Sequence, residues 1–150
     1  MRFGVYEFEI AQVEGIYAVV PYDFDGATQG IDYAEACEMG ADWLKTTIED
    51  YEIHGRALPS ATFGNVPRYG GTNVVFAVMA GRETVNKVSA TQAAHMLGVT
   101  PSRVSHMLAS NLLEGWRDGR NTFVTVDSIN ARLAEPPKAG RPKLDLAAVV

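Results

Sequence analysis

The sequence is short of cysteine, of long apolar runs and of positive charge in its first half, and each shortage excludes something. Cys37 is its one cysteine, so no disulfide can form within the chain, and a reducing cytoplasm is the expected setting. No apolar run reaches the length of a membrane span, and the N-terminus lacks the charged-then-apolar pattern of a signal peptide. His54, His95 and His106 have neither cysteine companions nor metal-ligand spacing, so no metal and no cofactor is expected. Residues 1–81 hold only four Lys and Arg against twelve Asp and Glu, a net charge of −8. Residues 82–150 hold nine against six, a net of +3, so the overall −5 conceals two halves of opposite sign. Opposite signs suit two different partners.

What is present is enough to fold. Hydrophobic residues make up 47% and charged residues 21% of 150, which allows one compact domain or two small ones. The most informative stretch is Ser89–Asn111, SATQAAHMLGVTPSRVSHMLASN, which reads as two short helices about a tight turn. Ser89 caps the first helix, and Ala93, Ala94 and Leu97 make its inward face. Gly98 stands where that helix must stop and Val99 plugs the turn. Thr100 then caps the second helix, with Pro101 at the first helical position. Val104, Met107 and Leu108 fall inward at helical spacing, leaving Ser102, Arg103, Ser105, His106 and Ser110 outward. The pattern fits a helix-turn-helix, and a helical hairpin that only packs a core is the alternative.

The acidic half reads as strands around one helix. In residues 2–10, RFGVYEFEI, Tyr6, Phe8 and Ile10 share one face and Glu7 and Glu9 the other, the pattern of a half-buried strand. A second run, Ile16–Val20, completes an antiparallel hairpin that Pro21 ends. A turn-rich connection with an extended piece at Ala27–Gln29 leads to the longest helix, opened by Asp32 and Glu35 as a D-x-x-E capping box. Its expected apolar stripe is Cys37, Ala41, Leu44, Ile48 and Tyr51; Glu38, Asp42, Lys45, Glu49 and Glu52 face water. His54-Gly55 closes it. After the loop Ser60–Thr72, the run Asn73–Ala80 reads as a strand covered on both faces. The order β-β-β-α-β predicts an α+β layer.

The run GIYAVVPYDFDGATQGIDYAEACEMG, through Tyr17, Pro21, Gly26, Thr28, Gln29, Gly30, Glu35 and Ala36, resembles the signature of HicB-type antitoxins. The sequence departs from it at Tyr22, where the family often places an acid. The resemblance covers roughly residues 2–80 and implies a degenerate ribonuclease-H-like fold that neutralises a small basic toxin, a HicA-type mRNA interferase. Tyr22, Asp23, Phe24 and Asp25 are the toxin-binding residues expected on that basis. The fold raises a nuclease alternative, but Glu7, Glu9, Asp23 and Asp25 do not assemble the full set of acids that two-metal chemistry needs, and no catalytic residue is expected.

Downstream of the helix pair, Leu112–Arg117 and Asn121–Val126 flank Asp118-Gly119-Arg120, a strong hairpin signal. Asn86–Val88 is expected as a short strand beside it. Trp116, Phe123, Val124 and Val126 are expected to pin the hairpin to the helices, and Arg117, Arg120 and Asn121 to project from its tip. Asp127 or Ser128 would cap a closing helix through Ile129–Leu133. With the motif AAHMLGVTPSRV, this set resembles the winged helix-turn-helix of excisionases and MerR-type regulators. That resemblance implies a recognition helix Pro101–Ser110 in the major groove, with the arginines of the wing on the backbone or adjacent minor groove. Thr100, Ser102, Arg103, Ser105, His106, Arg117, Arg120 and Asn121 are the expected DNA-binding residues. Arg103 is the best placed to read a base, and packing by His106 or simple solvation of Arg103 are the alternatives.

The expected organisation is a HicB-like toxin-binding domain (1–81), a winged helix-turn-helix domain (86–134) and a flexible basic tail (135–150). In the tail, Gly140-Arg141-Pro142 resembles an AT-hook core. The expected function is an antitoxin that represses its own operon, as a dimer or higher homo-oligomer on operator DNA, without a membrane. The alternative is a stand-alone phage- or mobile-element-type regulator whose first domain dimerises or senses.

Overall fold

In the computed structural model, which describes residues 1–135, the chain divides into two compact units, Met1–Val85 and a second beginning at Asn86. Of the expected tail, everything after Glu135, Gly140-Arg141-Pro142 included, lies outside the described residues. Among the described residues the architecture is mixed α+β, with four α-helices and two antiparallel sheets.

In the first unit the order is β1 (Arg2–Val13), β2 (Ile16–Pro21), β3 (Thr28–Gly30), α1 (Tyr33–Ile53) and β4 (Thr72–Ala80). Glu14 (φ 51°) and Gly15 (φ 83°) turn β1 back into β2 through a two-residue connection, the geometry that suits the twist of paired strands. The sheet runs β3-β2-β1-β4, so β1 is central and β4 is an edge. Tyr6, Phe8 and Ile10 of β1, Val19 of β2 and Phe76 of β4 pack against Ala36, Leu44 and Ile48 of α1. Asp32 caps α1 by accepting from Glu35 N–H at 2.8 Å, while the Glu35 carboxylate accepts from Ile31 N–H at 2.6 Å. The reciprocal bond of the expected capping box thus falls one residue early.

Three expectations about this unit need correction. The buried stripe of α1 is Ala36, Gly40, Leu44 and Ile48, with Cys37, Ala41 and Tyr51 only half-buried. Gly40 shifts it: a Cβ there would lie 2.5 Å from the Phe76 ring, so the ring occupies the notch that glycine leaves. β4 is not covered on both faces. Phe76 and Ala80 are buried, but Val75 and Met79 are 49% and 54% exposed, because an edge strand packed by one helix has no second layer. Conversely β1 is buried on both faces, since Glu7 (6% exposed) and Glu9 (0%) are covered by loop rather than facing water.

The second unit carries β5 (Lys87–Ser89), α2 (Ala90–Leu97), α3 (Pro101–Ala109), β6 (Gly115–Asp118), β7 (Asn121–Thr125) and α4 (Val126–Ala134), with strand order β5-β7-β6. Ser89 and Gln92 form a reciprocal capping box at the head of α2. Gly98, at φ 66°, closes α2 in a left-handed conformation that a side chain would strain. Thr100 accepts from Arg103 N–H at 3.1 Å and Pro101 begins α3. Ala93, Ala94, Val104, Met107, Leu113, Val124 and Ile129 form the core, and the two alanines allow α2 and α3 to pack closely.

Here too the structure corrects details. Leu112–Glu114 form a turn rather than strand, and Asn111 has φ 59°. Val126 starts α4, and its cap is Thr125, which accepts from Ser128 N–H at 3.3 Å, in place of Asp127 or Ser128. Trp116 and Phe123 are paired across β6 and β7 with ring centroids 5.8 Å apart, and alternation puts them on the sheet face opposite Val124. They pack on each other, with Lys87 over both rings, instead of pinning the hairpin to the helices.

Candidate functional site

The second unit presents two exposed polar features, the outward face of α3 and the β6–β7 turn. Because Val104 and Met107 hold α3 to the core, Ser102, Arg103, Ser105 and His106 are forced outward, and all four are exposed. Thr100 is exposed as well, but its hydroxyl oxygen is engaged as the cap. The Ser105 hydroxyl donates back to Pro101 C=O at 3.3 Å, a local bond that leaves its oxygen free to accept. Asp118 and Asn121 face each other across the two-residue turn Gly119-Arg120, with Gly119 at φ 61°. Arg117, Arg120 and Asn121 are all exposed there. Among the described residues, no hydrogen bond or ion pair ties down the side chains of Arg103, Arg117 or Arg120. Three unencumbered guanidinium groups on one small unit are each suited to oxygen acceptors, phosphates above all.

The first unit presents something the sequence did not disclose. The loop after α1 has no regular structure from Arg56 to Gly71, yet it is tied down by carboxylates from the sheet. Glu9 accepts from the backbone N–H groups of Arg68 (2.7 Å), Tyr69 (2.9 Å) and Gly71 (2.8 Å). Glu7 accepts from Asn65 N–H (2.8 Å), Gly64 N–H (3.1 Å) and the side-chain amides of Asn65 and Asn73. Asp23 adds two bonds from Thr62. Gly71 lies so close to the Ile10 carbonyl that a Cβ would stand 2.3 Å from it. Held this way, the loop exposes Phe63 (55%), Val66 (82%) and Tyr69 (59%). Arg68 bonds Pro21 C=O at 3.1 Å and stacks over Tyr22 at 5.0 Å. A pre-ordered loop with large apolar tips is suited to binding, because its ordering entropy is already spent in folding.

The expected toxin-binding residues lie beside this loop in unequal roles. The Tyr22 hydroxyl donates to Asn73 Oδ1 at 2.5 Å, and Asp23 is occupied by Thr62. Phe24 is the hub of an aromatic cluster, with centroids 4.7 Å from Tyr6, 5.9 Å from Trp43 and 5.7 Å from Tyr51. Asp25 is exposed, on the rim of an open cleft of about 460 Å³ that Trp43, Tyr51 and Arg56 also line. Phe63, Val66 and Tyr69 were missed because they sit in a Gly/Pro/Asn-rich stretch. Three large apolar residues inside such a stretch were the available signal.

The acids of β1 also bear on nuclease chemistry. Their oxygens already receive several N–H donors, so a metal ion would have to displace the loop to use them. The Asn65 backbone N–H above all, with Gly64 N–H and the Asn65 side chain, holds the Glu7 carboxyl below its ordinary value of 4.5, against an opposing push from burial. Its contribution to stability is therefore complete above pH 4.5 and is lost as pH falls through the lowered folded value. In an NMR titration the Gly64 and Asn65 amide shifts should move with a midpoint below 4.5; a midpoint at or above 4.5 would contradict the latch. Burial, and then the charges of Glu9 and Glu7, push the neighbouring Tyr22 hydroxyl upward, so it stays protonated as a donor to Asn73.

No helix among the described residues is long and apolar enough to cross a membrane. No protein-family model matches the chain, and no curated protein is similar to it. Among solved structures, a toxin–antitoxin complex from Streptococcus pneumoniae is similar, with 19% identity over 73% of this chain and 99% of that chain, at a TM-score of 0.48.

Proposed function

We propose that the chain is an antitoxin-type repressor: its second unit binds operator DNA as a winged helix-turn-helix, and its first unit, HicB-like, neutralises a HicA-like toxin ribonuclease. The observation that carries the DNA half is the outward face of α3, where Arg103 stands exposed and unpaired between Ser102, Ser105 and His106. On this reading α3 enters the major groove, the cap at Thr100 meets a phosphate, and Arg117, Arg120 and Asn121 at the hairpin tip hold the backbone.

The toxin half rests on the sequence resemblance and on charge. The acidic unit attracts a basic partner over distance, and exposed Phe63, Val66 and Tyr69, with Asp25 at the edge of the neighbouring cleft, supply short-range anchors. Tyr22, Asp23 and Phe24 then act by shaping that surface. The account assigns no catalytic residue and needs no cofactor.

Co-expression with the product of an adjacent small basic open reading frame tests the toxin half. The expected result is a stable complex and relief of growth arrest; neither complex nor relief overturns it. A stand-alone regulator whose first unit only dimerises is the second reading, favoured by the uncovered β4 edge. It is distinguished by operator binding with no cognate toxin.

A further inference from the structure

β4 is the edge of its sheet, so one row of its backbone N–H and C=O groups has no strand partner among the described residues. Its nine residues, TNVVFAVMA, include no charged residue and no proline, the usual means by which proteins keep an edge from pairing. The even-numbered residues from Val74 to Ala80 face α1. The odd-numbered ones face away, and there Val75 and Met79 stand exposed beside Phe3, which is opposite Met79 in the β1–β4 register and 67% exposed. The result is an apolar strip that ends in an open edge.

We infer that β4 is a self-association edge: two copies pair antiparallel along it, joining their sheets into one of eight strands. A strand-shaped vacancy selects a strand, and charge selects which. The unit is strongly acidic, so two copies repel each other except where charge is absent, and β4 is such a place. A basic partner would find nothing to attract it along an uncharged strand and is drawn to the acids elsewhere. Geometry agrees. A two-fold axis perpendicular to the sheet preserves faces, so it must fall midway between the two copies of one residue, and one between the two Phe76 sets Val75 of each copy against Ala77 of the other. The exposed strips of Phe3, Val75 and Met79 then merge into one continuous patch. The inference draws on the operator-binding reading only in that a pseudo-palindrome needs a two-fold protein.

Sedimentation velocity on the full chain tests it, with Val75→Lys and Ala77→Glu as variants whose fold is checked by circular dichroism. Both positions are exposed, so the variants are expected to fold. Val75→Lys alone should weaken the association step by at least about 100-fold, because it buries a charge in the joint. Mixing it with Ala77→Glu should restore a heterodimer, a rescue that mere misfolding would not give. A monomeric wild-type chain, or association indifferent to both variants, overturns the inference. In the second case intact operator binding would leave the proposed function standing, whereas loss of operator binding in Arg103→Ala with association unchanged concerns the DNA face alone.

Discussion

Arg103→Ala is expected to remove most of the chain's ability to tell its operator from unrelated DNA. Arg103 is the third residue of α3, exposed, and its backbone N–H is already engaged by Thr100, so the substitution leaves the helix cap intact. What is lost is a forked donor that matches guanine O6 and N7, and such a contact discriminates by about 1–3 kcal/mol, roughly 5- to 150-fold per half-site. Arg120→Ala acts differently. In the proposed docking its place at the hairpin tip puts it on backbone phosphates, so its loss should weaken binding to all sequences alike and lower the salt slope by about one unit. Fluorescence anisotropy on specific and scrambled duplexes separates the two effects, and unchanged binding in both variants would remove the proposed docking.

The second large effect is expected at Glu9. This carboxylate is fully buried at 0% exposure and receives three backbone N–H groups of the loop. In Glu9→Ala those donors lose their acceptor in a cavity where water enters poorly, and each unsatisfied donor costs about 1–3 kcal/mol. Because part of the loop can swing into solvent, the expected net loss is about 3 kcal/mol, roughly 15 °C in the melting temperature of a unit this size. Glu9→Gln should lose much of the same stability, since its amide NH2 would point at other donors. The loop tips Phe63, Val66 and Tyr69 would lose their fixed positions, so on the proposed antitoxin function toxin affinity should fall with stability while operator binding persists. A melting temperature unchanged within about 2 °C would contradict the latch.

The contrast between these two sites explains what could be read from the chain. The α2–α3 region was legible because its determinants are local. Ser89 caps its own helix, Gly98 adopts its own left-handed turn, and Thr100-Pro101 start the next helix, so each signal acts within a few residues. The alternation in β1 was also read correctly for Tyr6, Phe8 and Ile10. Glu7 and Glu9 were read as solvent-facing because nothing nearby in sequence says otherwise. Their donors come from residues 57 to 66 positions away, brought in only by the tertiary fold. The register of the α1 stripe failed for a related reason. Gly40 contributes nothing to a hydrophobic count, yet its missing side chain is what admits Phe76. Trp116 and Phe123 were assigned to the helix-facing side by size, whereas alternation along β7 sends Val124 there and Phe123 away.

The central claim is that an acidic protein places a basic helix-turn-helix unit on its own operator, and one measurement tests it most directly. The wild-type full chain is titrated against the DNA upstream of its reading frame and against a scrambled duplex of equal length, across a series of salt concentrations. The account predicts binding to the upstream DNA at least about a thousandfold tighter than to the scrambled duplex, weakening steeply with salt. Equal affinity for the two duplexes, or no binding at low salt, would contradict it.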